Sequence, residues 1–242
     1  MRRGFKCREE VLNSLKNGYD KIVEREYNGN YLKAIQHFEY IAEEKLRELL
    51  DNFYYNPRSR DQAWKTCKGS LYEYTVFRCI KQIIVGNSKL SKNFIVLMGD
   101  EPLLQYKDQI VIHNWSDIFP DVDILIVEKK TNLVKIIISC KTSLRERLTE
   151  TTFWKRELEK TKNIRDIKLV FVTSDRDNEL KIDTNRYILF HVINYTFVTD
   201  PEKYKELVKV YHKKYGKKED FNQFILKVKF IEEFEEFLNS LR

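Results

Sequence analysis

Two short segments put a carboxylate and an ammonium where they could act together. Pro120-Asp121 precedes the run Val122-Asp123-Ile124-Leu125-Ile126-Val127, and Ile136-Ile137-Ile138 leads into Ser139-Cys140-Lys141. Both runs read as strands, and Thr131-Asn132 between them predicts an antiparallel hairpin. Paired strands lie only about 4.8 Å apart, so Asp121 at the start of one and Lys141 at the end of the next can converge on one point. That pairing suits phosphodiester hydrolysis. Asp121 can hold Mg²⁺, a hard cation that prefers oxygen ligands, while Lys141 can orient or activate a water and offset charge on the phosphate. Period-2 alternation puts Ser139 and Lys141 on one face and Cys140 on the other. Asp123 shares the face of Asp121 and reads either as a second ligand or, preferably, as a surface acid flanking the strand.

Immediately downstream stand Arg145, Glu146 and Arg147. An arginine can donate two hydrogen bonds to O6 and N7 of guanine, and a glutamate can accept from N4 of cytosine, so this triplet suits neighbouring G·C pairs in a major groove. The alternative is an exposed, charged first turn of a helix.

Taken together, Pro120-Asp121 and Ser139-Cys140-Lys141 resemble the PD-(D/E)xK nuclease motif, with Ser139 in place of the second acid. The stretch Cys140 to Arg147 resembles a segment of type II restriction endonucleases that cut CCGG- and CCNGG-like sites, and the likeness covers about residues 120–160. It implies a restriction-endonuclease-like core, Mg²⁺ as cofactor and a cognate DNA methyltransferase as functional partner. In those enzymes a glutamate on the following helix supplies the missing acid. Here the corresponding positions hold Trp154 and Lys155, a departure from the pattern, and the nearest helix acids are Glu150 and Glu157. On a helix these lie about 20° apart around the axis but about 10.5 Å apart along it, so one alone can serve, and Glu150 is nearer Lys141. The resemblance also implies a glutamate on a helix ahead of the sheet. Lys68-Gly69-Ser70-Leu71-Tyr72-Glu73 fits loosely, with Glu73 either a site residue or an ordinary solvated acid.

The elements that must position these groups follow from the apolar spacing. Residues 6–53 carry helical periodicity, broken at Tyr27-Asn28-Gly29-Asn30; Asn56-Pro57 marks a break, and a helix is expected from Trp64 to Val85. Short β-rich runs follow at Phe94–Met98, Gln109–His113, Asp123–Val127 and Val134–Cys140. A helix over Ser143–Lys162, strands at Lys168–Thr173 and Arg186–Val192, and two helical stretches around Lys205–Lys213 and Asp220–Leu241 complete the pattern. Hairpin, helix, strand and strand describe a mixed sheet with a crossover helix. The fold class is α/β, a mixed sheet flanked by helices, with an N-terminal helical region over 1–60, a catalytic core over 61–200 and a mostly helical extension over 201–242.

The net charge of +7 favours a polyanionic partner, here double-stranded DNA. Cutting both strands of a short palindrome is most simply done by a homodimer whose two-fold axis matches that of the site. Cys7, Cys67, Cys79 and Cys140 form no CxxC pair, and reduced thiols are expected. No apolar run approaches the roughly 18 residues that span a bilayer, and the N-terminus leads into a charged helix, so the expectation is a cytoplasmic protein without a membrane partner. His113 and His191 are isolated, Trp115 and Trp154 read as packing residues, and the stretch from Lys213 to Lys218 reads as a solvated loop or a phosphate contact. The reading is a type II restriction endonuclease; a structure-selective repair nuclease or junction resolvase, or a catalytically decayed DNA-binding module, are the alternatives.

Overall fold

A computed structural model describes residues 6–111, 122–143 and 167–241. Helix α1 (Glu9–Tyr27) ends where Asn28 and Gly29 take left-handed φ values of 52° and 72°, the turn foreseen from Asn-Gly. Short helical segments from Tyr31 to Asn52 then lead into α2 (Pro57–Gly86), 30 residues and about 45 Å long. It begins earlier than the sequence pattern indicates. Asn56 Oδ1 accepts hydrogen bonds from the Arg58 and Ser59 amides, at 2.9 and 3.3 Å, and Pro57 occupies the first helical position, so the apparent break is an N-cap.

Six strands follow: β1 (Phe94–Met98), β2 (Ile124–Glu128), β3 (Leu133–Lys141), β4 (Lys168–Thr173), β5 (Tyr195–Val198) and β6 (Val228–Phe230), lying in that order across one sheet. β2 pairs antiparallel with both β1 and β3, and β3 to β6 run parallel. The β2–β3 turn contains Asn132 at φ 57°, as the hairpin reading requires. The central strands are apolar without a break because both faces are covered. Ile124, Ile126, Ile136, Ile138, Val170 and Val172 share one core with Leu15 and Tyr19 of α1 and Leu71 and Val76 of α2. Leu125, Val127, Ile137, Leu169 and Phe171 share the other with Leu189, Leu207 and Tyr211, carried by α3 (Asp183–His191) and α4 (Pro201–Tyr215).

Four expectations are corrected. The run at Gln109–His113 is no strand over its described part: Lys107–Ile110 is a helical turn, and the Gln109 side chain supplies the edge contacts, accepting from Val134 N at 2.8 Å and donating to Asn132 O at 2.9 Å. Arg186–Val192 lies largely in helix α3, since a short apolar run does not by itself distinguish the two periods; the strand is Tyr195–Val198. The stretch Asp220–Leu241 is interrupted by β6 and resumes as α5 (Phe234–Ser240). Finally, Cys7 and Cys67 form a disulfide that ties the segment ahead of α1 to α2, while Cys79 and Cys140 are buried thiols. Among the described residues, no helix is long and apolar enough to cross a membrane.

The disulfide closes a loop of 60 residues, for which chain entropy gives about 4 kcal/mol of stabilisation. Thermal melts of Cys7→Ser should fall about 10 °C below the parent, and adding reductant should bring the parent down to the variant. Superimposable melts under all these conditions would remove the bond from the account.

Candidate active site

The site is built where the hairpin ends meet the parallel half of the sheet. Asp123 stands one residue before β2, and its amide donates to Ile138 O at 3.2 Å, continuing the β2–β3 ladder. Lys141 is the last residue of β3 and pairs with Thr173 of β4. Asp123 Oδ2 accepts from the Cys140 amide at 2.6 Å and from Lys141 Nζ at 2.9 Å, with the two side chains only 8% and 7% exposed. From the other core, α2 brings Glu73, whose Oε1 is 3.9 Å from Lys141 Nζ. The expectation of Asp123 as a surface acid is thus overturned: its side chain is turned away from solvent and bonded to both strand-end residues. The hairpin places it there, and the missed signal was that the apolar run begins just after it.

Of the residues singled out in the sequence, Glu73 and Lys141 lie together. Cys140 is buried with the first core and Ser139 on the opposite face, in agreement with alternation. Ser139 is 2% exposed, and among the described residues its Oγ finds no hydrogen-bond partner. Asp121, Arg145, Glu146, Arg147, Glu150 and Glu157 lie outside the described residues, as do the helix expected over most of 143–162, His113, Trp115 and Trp154.

The neighbouring strand ends extend the polar surface. Thr173, Ser174, Asp175 and Thr199 are all buried at the carboxyl ends of β4 and β5, the side of an open α/β sheet where ligands bind. Tyr72 of α2 shares a 3.0 Å hydrogen bond with Thr199 Oγ1, and burial pushes its phenol well above the usual range. Asp175 holds a left-handed φ of 50° and accepts from the Leu180 amide at 3.2 Å through Oδ1. Burial pushes its carboxyl up to about 6, only partly offset by the Leu180 and Glu179 amides and by Lys203 and Lys181.

The architecture is that of a restriction endonuclease. The restriction endonuclease PspGI, solved in complex with substrate DNA, matches over 96% of this chain and 91% of its own with a TM-score of 0.62; at 15% sequence identity this is a likeness of fold. The family follows from sequence. The profile of BsaWI restriction endonuclease type 2 matches residues 103–224, just over half the chain, and the chain belongs to that family. Among similar proteins, MjaVIP of Methanocaldococcus jannaschii, a putative type II restriction enzyme, is 29% identical over 172 residues, spanning 63% of this chain and 75% of that protein. HpyAORF263P of Helicobacter pylori, a probable type II restriction enzyme, is 35% identical over 123 residues, 49% of this chain and 64% of its own.

The Asp175 carboxyl has a checkable consequence for stability. Its folded pKa lies above the unfolded 3.8, so its contribution is complete below about 3.8 and is lost as pH rises through about 6. Asp175→Asn should therefore be more stable than the parent at pH 7.5, by up to about 3 kcal/mol, with the advantage shrinking toward pH 4. Chemical denaturation at the two pH values measures this, and a pH-independent difference would contradict it.

Proposed function

We propose that this protein is a Mg²⁺-dependent type II restriction endonuclease that cuts double-stranded DNA at a short, G·C-containing palindrome of the CCGG or CCNGG kind. It acts as a homodimer, alongside a cognate methyltransferase. The observation that carries the reading is the Lys141 ammonium held against Asp123 and near Glu73 at the carboxyl end of the sheet. Family membership supports the reaction class, and the net positive charge supports the polyanionic substrate.

The residues at the site fit Mg²⁺. Asp123 and Glu73 offer hard carboxylate oxygens, the donor type this ion takes, and the buried Ser139 hydroxyl stands where the motif otherwise has an acid. Asp121 and Glu150 are the further proposed ligands, with Glu157 the alternative to Glu150. Mg²⁺ bound there supplies Lewis acidity and a lowered pKa for a coordinated water. Lys141 offsets negative charge on the scissile phosphate and orients the attacking water, and Asp123 fixes the direction of the ammonium. Arg145, Glu146 and Arg147 read the bases.

Incubation with long duplex DNA of mixed sequence and Mg²⁺, followed by sequencing of the fragment ends, tests the activity. Discrete ends sharing one palindrome are expected, with cutting abolished by chelator. Scattered ends would favour a structure-selective nuclease, and binding without cutting a decayed module. Lys141→Ala and Asp123→Asn should each lower the cleavage rate about 100-fold or more while leaving DNA affinity near that of the parent. An active Asp123→Asn beside an inactive Asp121→Asn would return the metal-binding role to Asp121 alone.

Base readout has its own test. Arg145→Ala and Arg147→Ala should each weaken binding to the cognate duplex by about 1 to 3 kcal/mol at fixed salt and change non-cognate binding much less. Equal losses on both duplexes would make the arginines phosphate contacts.

A further inference from the structure

Helix α2 carries a second charged residue that the proposed chemistry does not use. Lys68 is 2% exposed, one of few charged side chains in the core among the described residues, and removing an ammonium from water is costly unless partners surround it. Its Nζ donates to Glu39 Oε2 and to Glu43 Oε1, both at 2.6 Å. Glu43 also accepts from Trp64 Nε1 at 3.2 Å, one turn earlier on α2. Glu39 has a further partner off the helix: its Oε1 accepts from Ser174 Oγ at 2.7 Å. Ser174 follows Thr173, the residue paired with Lys141. One carboxylate therefore joins α2 to the strand end beside Lys141.

We propose that Lys68 is a positioning residue for cleavage: through Glu39 and Ser174 it sets the axial position and rotation of α2, so that Glu73 meets Lys141. This rests on the reading of Glu73 and Lys141 as groups of the reacting centre. Apolar packing of α2 on the sheet is non-directional and resists sliding weakly. Charge-assisted hydrogen bonds are short and directional, and these lie about 7.5 Å along the axis from Glu73, close enough to set its height. Tyr72, one turn on from Lys68, adds a tie to Thr199 at the end of β5. α2 is thereby fixed at three adjacent strand ends: β4 through Glu39, β5 through Tyr72 and β3 through Glu73. Glu39 and Glu43 remain 23% and 32% exposed, so in a Lys68→Met variant both can rehydrate and the chain should still fold.

The test uses the full chain, mixed-sequence duplex DNA and a Mg²⁺ titration of the single-turnover cleavage rate. Lys68→Met should lower the rate about 10- to 100-fold and raise the Mg²⁺ concentration for half-maximal cleavage, with DNA affinity unchanged. Lys68→Arg, which keeps the charge, should recover most of the rate. Ser174→Ala, which cuts the strand-side link with little effect on folding, should move the Mg²⁺ midpoint in the same direction by less. Cys7→Ser serves as the control: it removes the covalent tie to α2 at Cys67 while leaving Lys68, Glu39 and Ser174 intact, and should leave the midpoint in place. An unmoved midpoint in folded Lys68→Met overturns the proposal, as does an equal shift in Cys7→Ser; should Lys68→Met fail to fold, an unmoved midpoint in Ser174→Ala does so. Parent-like cleavage by Lys141→Ala would instead overturn the reading of the reacting centre.

Discussion

The contact between Lys141 and Asp123 brings two ionised groups almost out of water at the meeting point of three strands. Burying an ion pair costs several kcal/mol per ion by rough reckoning, offset only when the geometry is close and the remaining hydrogen-bonding capacity is used. Here Asp123 Oδ2 also accepts the Cys140 amide, so the carboxylate serves the backbone at the end of β3 and the side chain that follows. The rest of the sheet makes this possible. β2 and β3 are covered on both faces by apolar cores, so their ends are held firmly, and the polar residues gather where the parallel strands stop.

Helix α2 is the second requirement. Its apolar face shares a core with the sheet, and three of its polar residues, Lys68, Tyr72 and Glu73, are placed against strand ends. Glu73 approaches Lys141, Tyr72 bonds Thr199, and Lys68 reaches Ser174 through Glu39. The N-terminal helical region is thus part of the frame of the site, since Glu39 and Glu43 come from it. Its disulfide to α2 stabilises the same helix.

The hairpin and Lys141 were legible in sequence because two apolar runs flank a turn dipeptide, and the alternation that puts Ser139 opposite Cys140 needs no tertiary information. The role of Asp123 did need it: alternation alone gives it the same phase as Asp121, and only the fold shows its carboxylate bonded at Cys140 and Lys141. Lys68 was hidden for a related reason. A lysine on an amphipathic helix reads as solvated, and its partners lie 29 and 25 residues away in sequence. The Cys7–Cys67 bond, spanning 60 residues, leaves no local signal either. At α3 the failure was one of period, because Tyr187 to Val192 suits a strand as well as a helix until Tyr195–Val198 is seen to fill the place beside β4.

The central claim is that Lys141, Asp123 and Glu73 form one metal-assisted hydrolytic centre. Anomalous diffraction from crystals of the protein with duplex DNA and Mn²⁺ addresses it directly. The account predicts an anomalous peak within coordination distance, roughly 2.0 to 2.3 Å, of carboxylate oxygens from both Asp123 and Glu73, with Lys141 Nζ facing the phosphate beside it. A fully occupied Mn²⁺ elsewhere on the DNA-bound protein, with neither carboxylate among its ligands, would contradict it.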